Sequence, residues 1–258
     1  MDLKNLNKQE QEALIPDNAI FLGYRGSIAH GMYIPNSDPN SIDDKDIMGV
    51  FIAKPEHYIG LKEDKETVEK WHNEWDCVYY EFKKVLHLLL KCNPNVLSLL
   101  WLNDRYVLKT SDYWKQIIEI KDAFTSKQAY HAFSGYAHGQ FKKMTHFEFK
   151  GYMGEKRKSL VEKYGYDCKN AAHLIRLLKM GIEFLIEGKL YVERISDAKQ
   201  LLEIKRGEWT LEQVKKESDR LFSLCEESYV RSSLPAQPDY EKINMVCKNI
   251  LSDYLNNC

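Results

Sequence analysis

The sequence predicts an α+β fold, in which a small sheet with flanking helices is followed by an all-helical part. Three short apolar stretches suited to strands precede residue 110, whereas the chain after it shows little but helical periodicity. The length of 258 residues and the 44% of hydrophobic residues are sufficient for a buried core. We therefore predict two parts, a sheet-containing core over residues 1–110 and a helical domain over residues 111–258.

The predicted strands are short apolar runs. The first covers residues 19–23 and ends in glycine, the second covers residues 47–53, and the third, with strong β propensity, covers residues 75–80. A loop rich in Pro, Asn, Asp and Ser joins the first two strands over residues 34–44.

The predicted helices are delimited by residues that are typical of helix ends. From residue 81 onward the spacing of apolar residues becomes that of a helix. The end signals are Asn93 with Pro94 at a helix start, Ser126 before a helix over 127–144, Gly188 after a helix over 168–187, the capping-box pattern Thr210-x-x-Gln213, and Asp239 before the last helix. These signals predict long helices throughout the second part.

Charge is distributed unevenly along the chain. The 37 basic and 38 acidic side chains give a formal net charge of -1, which argues against a wholly basic nucleic-acid coat protein. Residues 139–179 nevertheless hold ten basic and four acidic side chains, interleaved with aromatic residues. Cations attract phosphates and aromatic faces stack on bases, so this basic segment is a candidate nucleic-acid surface. The alternative is a solvated helix face followed by a loop with ordinary core aromatics. Its candidate contacts are Lys142, Lys143, Lys156, Arg157 and Lys158.

Several features of the sequence predict a soluble protein of the cytoplasm. The polar N-terminus lacks the apolar core of a signal peptide, and the apolar runs are too short to span a bilayer. The six cysteines form no CxxC pair, which suits a reducing compartment and indicates no zinc site. We therefore expect no contact with a membrane.

The candidate chemistry lies between the first two predicted strands. Gly26-Ser27 follows the first strand, where glycine lets the backbone approach a phosphate and the serine hydroxyl binds phosphate oxygens. Asp44 and Asp46 precede the second strand, and residues two apart in an extended chain project to the same face. Two carboxylates beside a phosphate site suit Mg²⁺, which prefers oxygen ligands. A shift of one residue in register would replace Asp44 by Asp43.

With its order of strand, Gly-Ser, loop, Asp-x-Asp and strand, this stretch resembles the signature of the DNA-polymerase-β-like nucleotidyltransferases. The chain is similar in particular to the branch associated with RNA repair, which is common in bacteria and phages. The motifs that carry this likeness are Gly26-Ser27-Ile28-Ala29-His30-Gly31, the helix start from Asn93 to Leu97, and a Lys-x-x-x-His-x-x-Arg helix with Lys169, His173 and Arg176. The resemblance covers about residues 20–195 and implies a small mixed sheet in the first part.

The resemblance also implies a third carboxylate on a later strand, for which two residues are candidates. Asp76 lies in the third predicted strand and Glu81 at its end, on opposite faces because their separation is odd. We favour Asp76, because Glu81 is expected at the start of the next helix, where the helix dipole favours an acid. The catalytic and metal-binding candidates are thus Asp44, Asp46 and Asp76.

Candidate nucleotide-binding cations lie on the second long helix. Lys169, His173 and Arg176 occur at i, i+4 and i+7 and therefore share one helix face. Alone, this pattern is typical of a polar stripe that faces solvent, but opposite a carboxylate site these residues would hold a triphosphate. Arg25 and His30, which flank the Gly-Ser pair, are further candidates.

The activity that the resemblance implies is transfer of a nucleoside monophosphate from an NTP to an acceptor hydroxyl, with release of pyrophosphate. The cofactor would be two Mg²⁺ ions, with Mn²⁺ as a substitute. We expect an RNA 3′ end as the acceptor, in RNA repair within a bacterial or phage-infected cell. The alternatives are nucleotidylation of a protein or small molecule, and a non-catalytic nucleotide-binding module of a toxin–antitoxin system.

Overall fold

The computed structural model confirms the predicted fold class. It describes residues 15–39, 41–62, 64–72, 75–145 and 154–258. Within these ranges the chain forms a mixed sheet of five strands, flanked by helices and followed by further helices to the C-terminus.

The sheet has the strand order β3-β4-β2-β1-β5. Its strands are β1 (Ala19–Tyr24), β2 (Lys45–Phe51), β3 (Thr67–His72), β4 (Trp75–Glu81) and β5 (Val107–Thr110). Strands β2 and β4 pair in parallel, and the other neighbours pair antiparallel. The sequence did not predict β3 and β5, which lie at the two edges of the sheet. Each pairs on one side only, so neither requires the apolar run by which a central strand is recognised.

The helices lie close to their predicted positions. They are α1 (Gly26–Ala29), α2 (Pro55–Ile59), α3 (Phe82–Leu90), α4 (Pro94–Leu97), α5 (Asp112–Glu119), α6 (Gln128–Thr145), α7 (Glu155–Tyr164), α8 (Cys168–Glu187), α9 (Ala198–Lys205), α10 (Leu211–Arg231) and α11 (Tyr240–Asn256). The capping box of Thr210 and Gln213 is present, and Gly188 ends α8 in the left-handed conformation. No helix in these ranges is long and apolar enough to cross a membrane.

Helix α8 lies at the centre of the core, because most of its side chains are apolar and buried. It packs against α6, α9 and α10. The main hydrophobic cluster combines residues before residue 110, such as Met48 and Leu86, with residues after it, such as Leu178. The two predicted parts thus share a core, and the division near residue 110 stays a prediction.

Alternate residues of the sheet face two different clusters. Ile47 and Cys77 belong to a small cluster on one face, whereas Met48 belongs to the main cluster beneath the helices. Because side chains alternate along a strand, Asp46 and Asp76 lie on the face that the helices cover. The fold therefore directs both carboxylates to the same, helix-covered side of the sheet.

Candidate active site

The carboxylates of Asp46 and Asp76 lie side by side, because the two residues are register partners on β2 and β4. Arg25 follows β1 and lies between them. Its Nη2 atom is 3.0 Å from Asp76 Oδ2 and 3.5 Å from Asp46 Oδ1. The Arg25 backbone N–H also donates to the Asp46 carbonyl at 2.9 Å, so the end of β1 is anchored to β2. Two carboxylates thus share one guanidinium cation.

The position of Gly26 cannot accommodate a side chain. A Cβ atom at this position would overlap Asp46 Oδ2, and the residue has a φ of +61°, which favours glycine. Helix α1 begins at Gly26 itself, so Gly26 and Ser27 form its first turn beside the Asp46 carboxylate.

Most of the predicted site residues line one cavity of about 240 Å³. They are Arg25, Gly26, Ser27, His30, Asp46, Lys169, His173 and Arg176. Lining residues that we did not predict include Asn95, Ser98 and Lys205. Asn95 belongs to the helix start that the sequence singled out, whereas nothing in the sequence distinguished Lys205 from an ordinary helix lysine. The cavity brings together the loop after β1, strand β2 and helices α4, α8 and α9.

Burial controls the protonation of the two carboxylates. It raises the pKa of Asp46 from 3.8 to about 6, although the nearby Arg25 and Lys169 cations act in the opposite direction. Burial likewise raises the pKa of Asp76, against the effect of Arg25. The pair therefore holds its negative charge at a cost in free energy, which a bound cation would reduce.

The two neighbouring aspartates differ from each other. The Asp44 side chain is 60% exposed and lies 3.6 Å from Lys169 Nζ, outside the cavity lining. Strand β2 begins only at Lys45, so the alternation that we expected to align Asp44 with Asp46 does not extend to it. Asp43 is buried and pairs with Lys205, and its Oδ2 accepts a hydrogen bond from Ile34 N at 2.8 Å.

Glu81 is engaged at the start of α3. It is the N-cap residue, and its Oε2 accepts a hydrogen bond from Lys84 N at 3.0 Å. Its Oε1 accepts one from the Tyr58 hydroxyl at 2.5 Å. Of the two candidates for a third carboxylate, Asp76 is therefore the one beside Asp46.

Arg176 is buried in the cavity without a carboxylate partner among the described residues. It is 6% exposed, and its Nη1 contacts Met180 Sδ at 3.1 Å and His30 Nδ1 at 3.5 Å. The nearest acidic influence is Asp197, which is itself paired with Arg194. Burial lowers the pKa of Arg176 to about 9. An anion in the cavity would relieve this unpaired charge.

The other predicted cations and histidines have distinct partners. Lys169 Nζ donates to the Ile42 carbonyl at 2.9 Å, in addition to its contact with Asp44. The 2.7 Å distance from His30 Nδ1 to the Val192 carbonyl makes Nδ1 a donor. Burial lowers the pKa of both His30 and His173 well below the usual value, so both are neutral. Within the described part of the chain, His173 Nε2 is buried and has no hydrogen-bond partner.

The predicted nucleic-acid surface is only partly available in the structure. Lys142, Lys143, Lys156 and Lys158 are exposed. Arg157 instead pairs with Asp167, the N-cap residue of α8, at 2.7 Å. The positive charges of Lys143 and Arg157 further lower the pKa of the cavity residue His173.

The aromatic residues of the basic segment mostly pack into the protein. Tyr166 is buried, and its hydroxyl donates to the Trp209 carbonyl at 2.6 Å. Phe141 and Tyr164 pack against the main cluster. The rings of these three residues thus contribute to packing of the core, as the alternative interpretation of the segment expected. Phe147, Phe149 and Tyr152 lie outside the described residues.

Asp46 and Asp76 suit a divalent cation by their chemistry and placement. Mg²⁺ prefers carboxylate oxygens, and these two carboxylates already share the Arg25 cation. In the ranges that the structure describes, no three His, Cys, Asp or Glu side chains form a group that could hold an ion. Asp44, whose charge raises the pKa of both carboxyls, is a further carboxylate near the pair.

Comparison with known proteins identifies the family of this chain. A family model described as RNA repair pathway DNA polymerase beta family (RlaP) matches residues 1–248. No curated protein matches significantly. A nucleotidyltransferase-like protein from Exiguobacterium sibiricum 255-15 is a structural match with 8% identity and a TM-score of 0.30, covering 85% of this chain and 71% of that chain. On the basis of the family match, the chain belongs to the RNA repair pathway DNA polymerase beta family and is a nucleotidyltransferase.

Proposed function

We propose that the protein transfers a nucleoside monophosphate from an NTP to the 3′-hydroxyl of an RNA, with Mg²⁺ held by Asp46 and Asp76. The observation that carries this proposal is the cavity itself. It places Asp46, the neighbour of Asp76, in one space with the unpaired buried cation Arg176. Such a space attracts a ligand with several negative charges on one side and a metal ion on the other.

The triphosphate of the NTP is expected between α1 and α8. Ser27 lies in the first turn of α1, where its hydroxyl and the backbone N–H groups can donate to phosphate oxygens. Arg176 and Lys169 supply positive charge from α8. Because Arg176 has no carboxylate partner among the described residues, binding a phosphate does not require it to break an existing ion pair.

The metal site would be formed by Asp46 and Asp76, with Asp44 as the nearest additional carboxylate. When bound, Mg²⁺ stabilises negative charge on the phosphates and lowers the pKa of the attacking hydroxyl. Arg25 must give up its contacts with both carboxylates for such binding. As a lining residue of the cavity, it is then placed to contact the nucleotide phosphates.

The proposed reaction is an in-line displacement at the α-phosphorus of the NTP. The acceptor oxygen forms a bond to phosphorus, and the bond from phosphorus to the pyrophosphate oxygen breaks. The hydroxyl proton leaves to the Asp76 carboxylate, which lies beside Asp46 at the reacting phosphate. Residues around the cavity thus position both reactants without a covalent intermediate on the protein.

RNA is the acceptor that the surroundings of the cavity favour. Exposed Lys142, Lys143, Lys156 and Lys158 form a positive surface, and Lys143 is close enough to affect His173 in the cavity. Exposed lysines attract a phosphate backbone without reading its sequence. The family description also refers to RNA repair.

A transfer assay with matched acceptors tests the proposal. The protein is incubated with Mg²⁺, labelled NTPs and a single-stranded RNA that has either a free or a blocked 3′ end. We expect label only on the free 3′ end, and a loss of about 100-fold or more in Asp46→Asn. Asp219→Asn, which changes an exposed carboxylate on α10, is the control and should act as wild type.

The other outcomes of this assay identify the alternatives. Label on the protein alone, or on a small-molecule acceptor, would replace RNA by that acceptor. Nucleotide binding without transfer to any acceptor would indicate a nucleotide-binding module and contradict the proposal. Equal transfer by wild type and Asp46→Asn would remove Asp46 from the site.

A further inference from the structure

Trp71 is an exposed aromatic residue next to the carboxylates. It lies on the edge strand β3 and is the register partner of Asp76 on β4. Asp76 is in turn the register partner of Asp46 on β2. Residues on three adjacent strands therefore form one row across the sheet, with neighbours about 4.8 Å apart.

The side chain of Trp71 lies on the same face of the sheet as the two carboxylates. Directly opposed residues of paired strands project to the same face. Val68, three residues before Trp71, points to the opposite face of the sheet and packs against the small cluster there. Thr67, which has the parity of Trp71, accepts a hydrogen bond from Lys84 of α3 on the helix-covered face.

Trp71 is 66% exposed, in contrast to Trp75 and Trp114, which are 2% and 1% exposed. Burial of an indole ring is favourable, but at this position most of its large apolar surface is in contact with solvent. Glu69, two residues before Trp71 on β3 and on the same face of the sheet, is exposed and negatively charged. A phosphate backbone is therefore disfavoured along β3, whereas the uncharged face of a nucleobase is not.

We propose that Trp71 stacks on the 3′-terminal base of the acceptor RNA and so holds its 3′-hydroxyl at Asp76. This inference rests on the proposed function, since it assumes that the acceptor is a nucleic acid. An acceptor hydroxyl at Asp76 has the base of its own nucleotide within reach of the adjacent strand. Stacking on an aromatic ring tolerates every base, so the contact selects a nucleic-acid end without selecting its sequence.

A double-mutant cycle, with one change in the protein and one in the RNA, tests the stacking directly. One change is Trp71→Ala, and the other is an acceptor RNA whose 3′-terminal nucleotide is abasic but retains its 3′-hydroxyl. We expect either change alone to raise the KM for the acceptor by about 5- to 100-fold, the range for loss of one stacked base. Once one change is made, the other should have little further effect.

Two controls separate stacking from an effect on the fold. Trp71→Phe retains an aromatic face and should keep most of the affinity for the acceptor. In all variants the KM for the NTP should stay within about twofold of wild type, because Trp71 is not among the residues that line the cavity. A parallel rise in both KM values would overturn the stacking role.

Further results would overturn the inference or the proposed function separately. Independent effects of Trp71→Ala and the abasic end would reject stacking while transfer to RNA still stands. If Trp71→Ala converts a dimer in sedimentation to a monomer, the exposed ring serves contact between two copies of the chain instead. Wild-type protein that modifies no RNA would reject the proposed function, and the acceptor role of Trp71 with it.

Discussion

Asp46 and Asp76 are register partners on the parallel strands β2 and β4, and a single guanidinium, that of Arg25, contacts both carboxylates. Two negative charges one strand spacing apart repel each other, and burial raises the pKa of both carboxyls. The site is therefore destabilised in the absence of an added cation. Such strain is common where function requires a charge in a particular place.

Replacement of Asp46 by Asn should stabilise the metal-free protein. The pKa of about 6 in the folded state lies above the usual value of 3.8, so the folded state binds this proton more tightly than the unfolded state. Ionisation of Asp46 thus lowers stability as the pH rises from about 4 to about 6, and the whole penalty is present above that range. At pH 8 we expect the free energy of unfolding of Asp46→Asn to be about 1–3 kcal/mol higher than that of wild type.

The comparison with acidic pH is the control for that prediction. At pH 4 the carboxyl is protonated in the fold, so urea unfolding in EDTA should show little difference between the two proteins. Asp219→Asn should match wild type at both pH values. A lower stability of Asp46→Asn at pH 8 would show that this carboxylate has a stabilising partner.

Removal of the Arg25 cation should strengthen metal binding. In Arg25→Gln, an added ion no longer displaces a guanidinium from Asp46 and Asp76. At pH 8 we expect roughly tenfold tighter binding of Mn²⁺, as for loss of a competing charge-assisted contact. Titration calorimetry without nucleotide measures it. Arg25→Lys keeps the charge and should bind as wild type, and weaker binding to Arg25→Gln would contradict the competition.

Two buried arginines should respond to substitution in opposite ways. Arg194 is buried and pairs with Glu183 at 2.5 Å and with Asp197 at 2.9 Å. Arg194→Met leaves Glu183 without this partner and Asp197 with Lys179 alone, and should cost about 3 kcal/mol. Arg176→Met removes an unpaired buried charge and should leave the free energy of unfolding unchanged or raised. Its KM for the NTP should rise about 10- to 100-fold. Similar destabilisation in the two variants would mean that Arg176 is structural.

Two glycine substitutions test the close approach of α1 to Asp46. Gly26→Ala introduces a Cβ that overlaps Asp46 Oδ2 at a positive φ, and we expect it to lose most transfer activity. Gly135→Ala on α6 meets no atom within 4 Å and should stabilise the protein by about 0.5–1 kcal/mol with activity retained. Activity assays with thermal unfolding distinguish the two. Wild-type activity of Gly26→Ala would show that the approach is not required.

Charge reversal on the basic segment should weaken RNA binding in a salt-dependent manner. The variant has Glu in place of the exposed lysines 142, 143, 156 and 158. We expect log affinity to fall less steeply with log salt, with the magnitude of the slope reduced by about 0.7 for each lost phosphate contact. Arg157 is left unchanged because it holds Asp167. Reversal of Lys215 and Lys216, exposed on α10, controls for net charge. Equal losses in both sets would remove the basic segment from RNA binding.

Local signals in the sequence were sufficient for most elements of the fold. The C-terminal end of α8 follows from Gly188, and the start of α10 from the capping box of Thr210 and Gln213, because these contacts involve residues close in the chain. Strands β3 and β5 were missed, because their pairing partners are distant in sequence. Pairing stabilises such an edge strand without a continuous apolar run.

The side chains of the candidate site show where sequence reasoning stops. The spacing of Lys169, His173 and Arg176 placed them on one helix face, but not which of them is buried or paired. Only tertiary contacts distinguish the paired Arg157 from the unpaired Arg176. The same holds for Asp43, which Lys205 neutralises from a helix more than 150 residues away.

The sequence by itself determined the helix ends, the apolar faces, and the order of Gly-Ser and Asp-x-Asp, since each depends on neighbours along the chain. The tertiary structure decided that Asp46 lies against Asp76, that Arg25 contacts both, and that Trp71 is exposed beside them. These relationships depend on strand order and register. Register is set by packing of the sheet against helices such as α3 and α5, which no local pattern specifies.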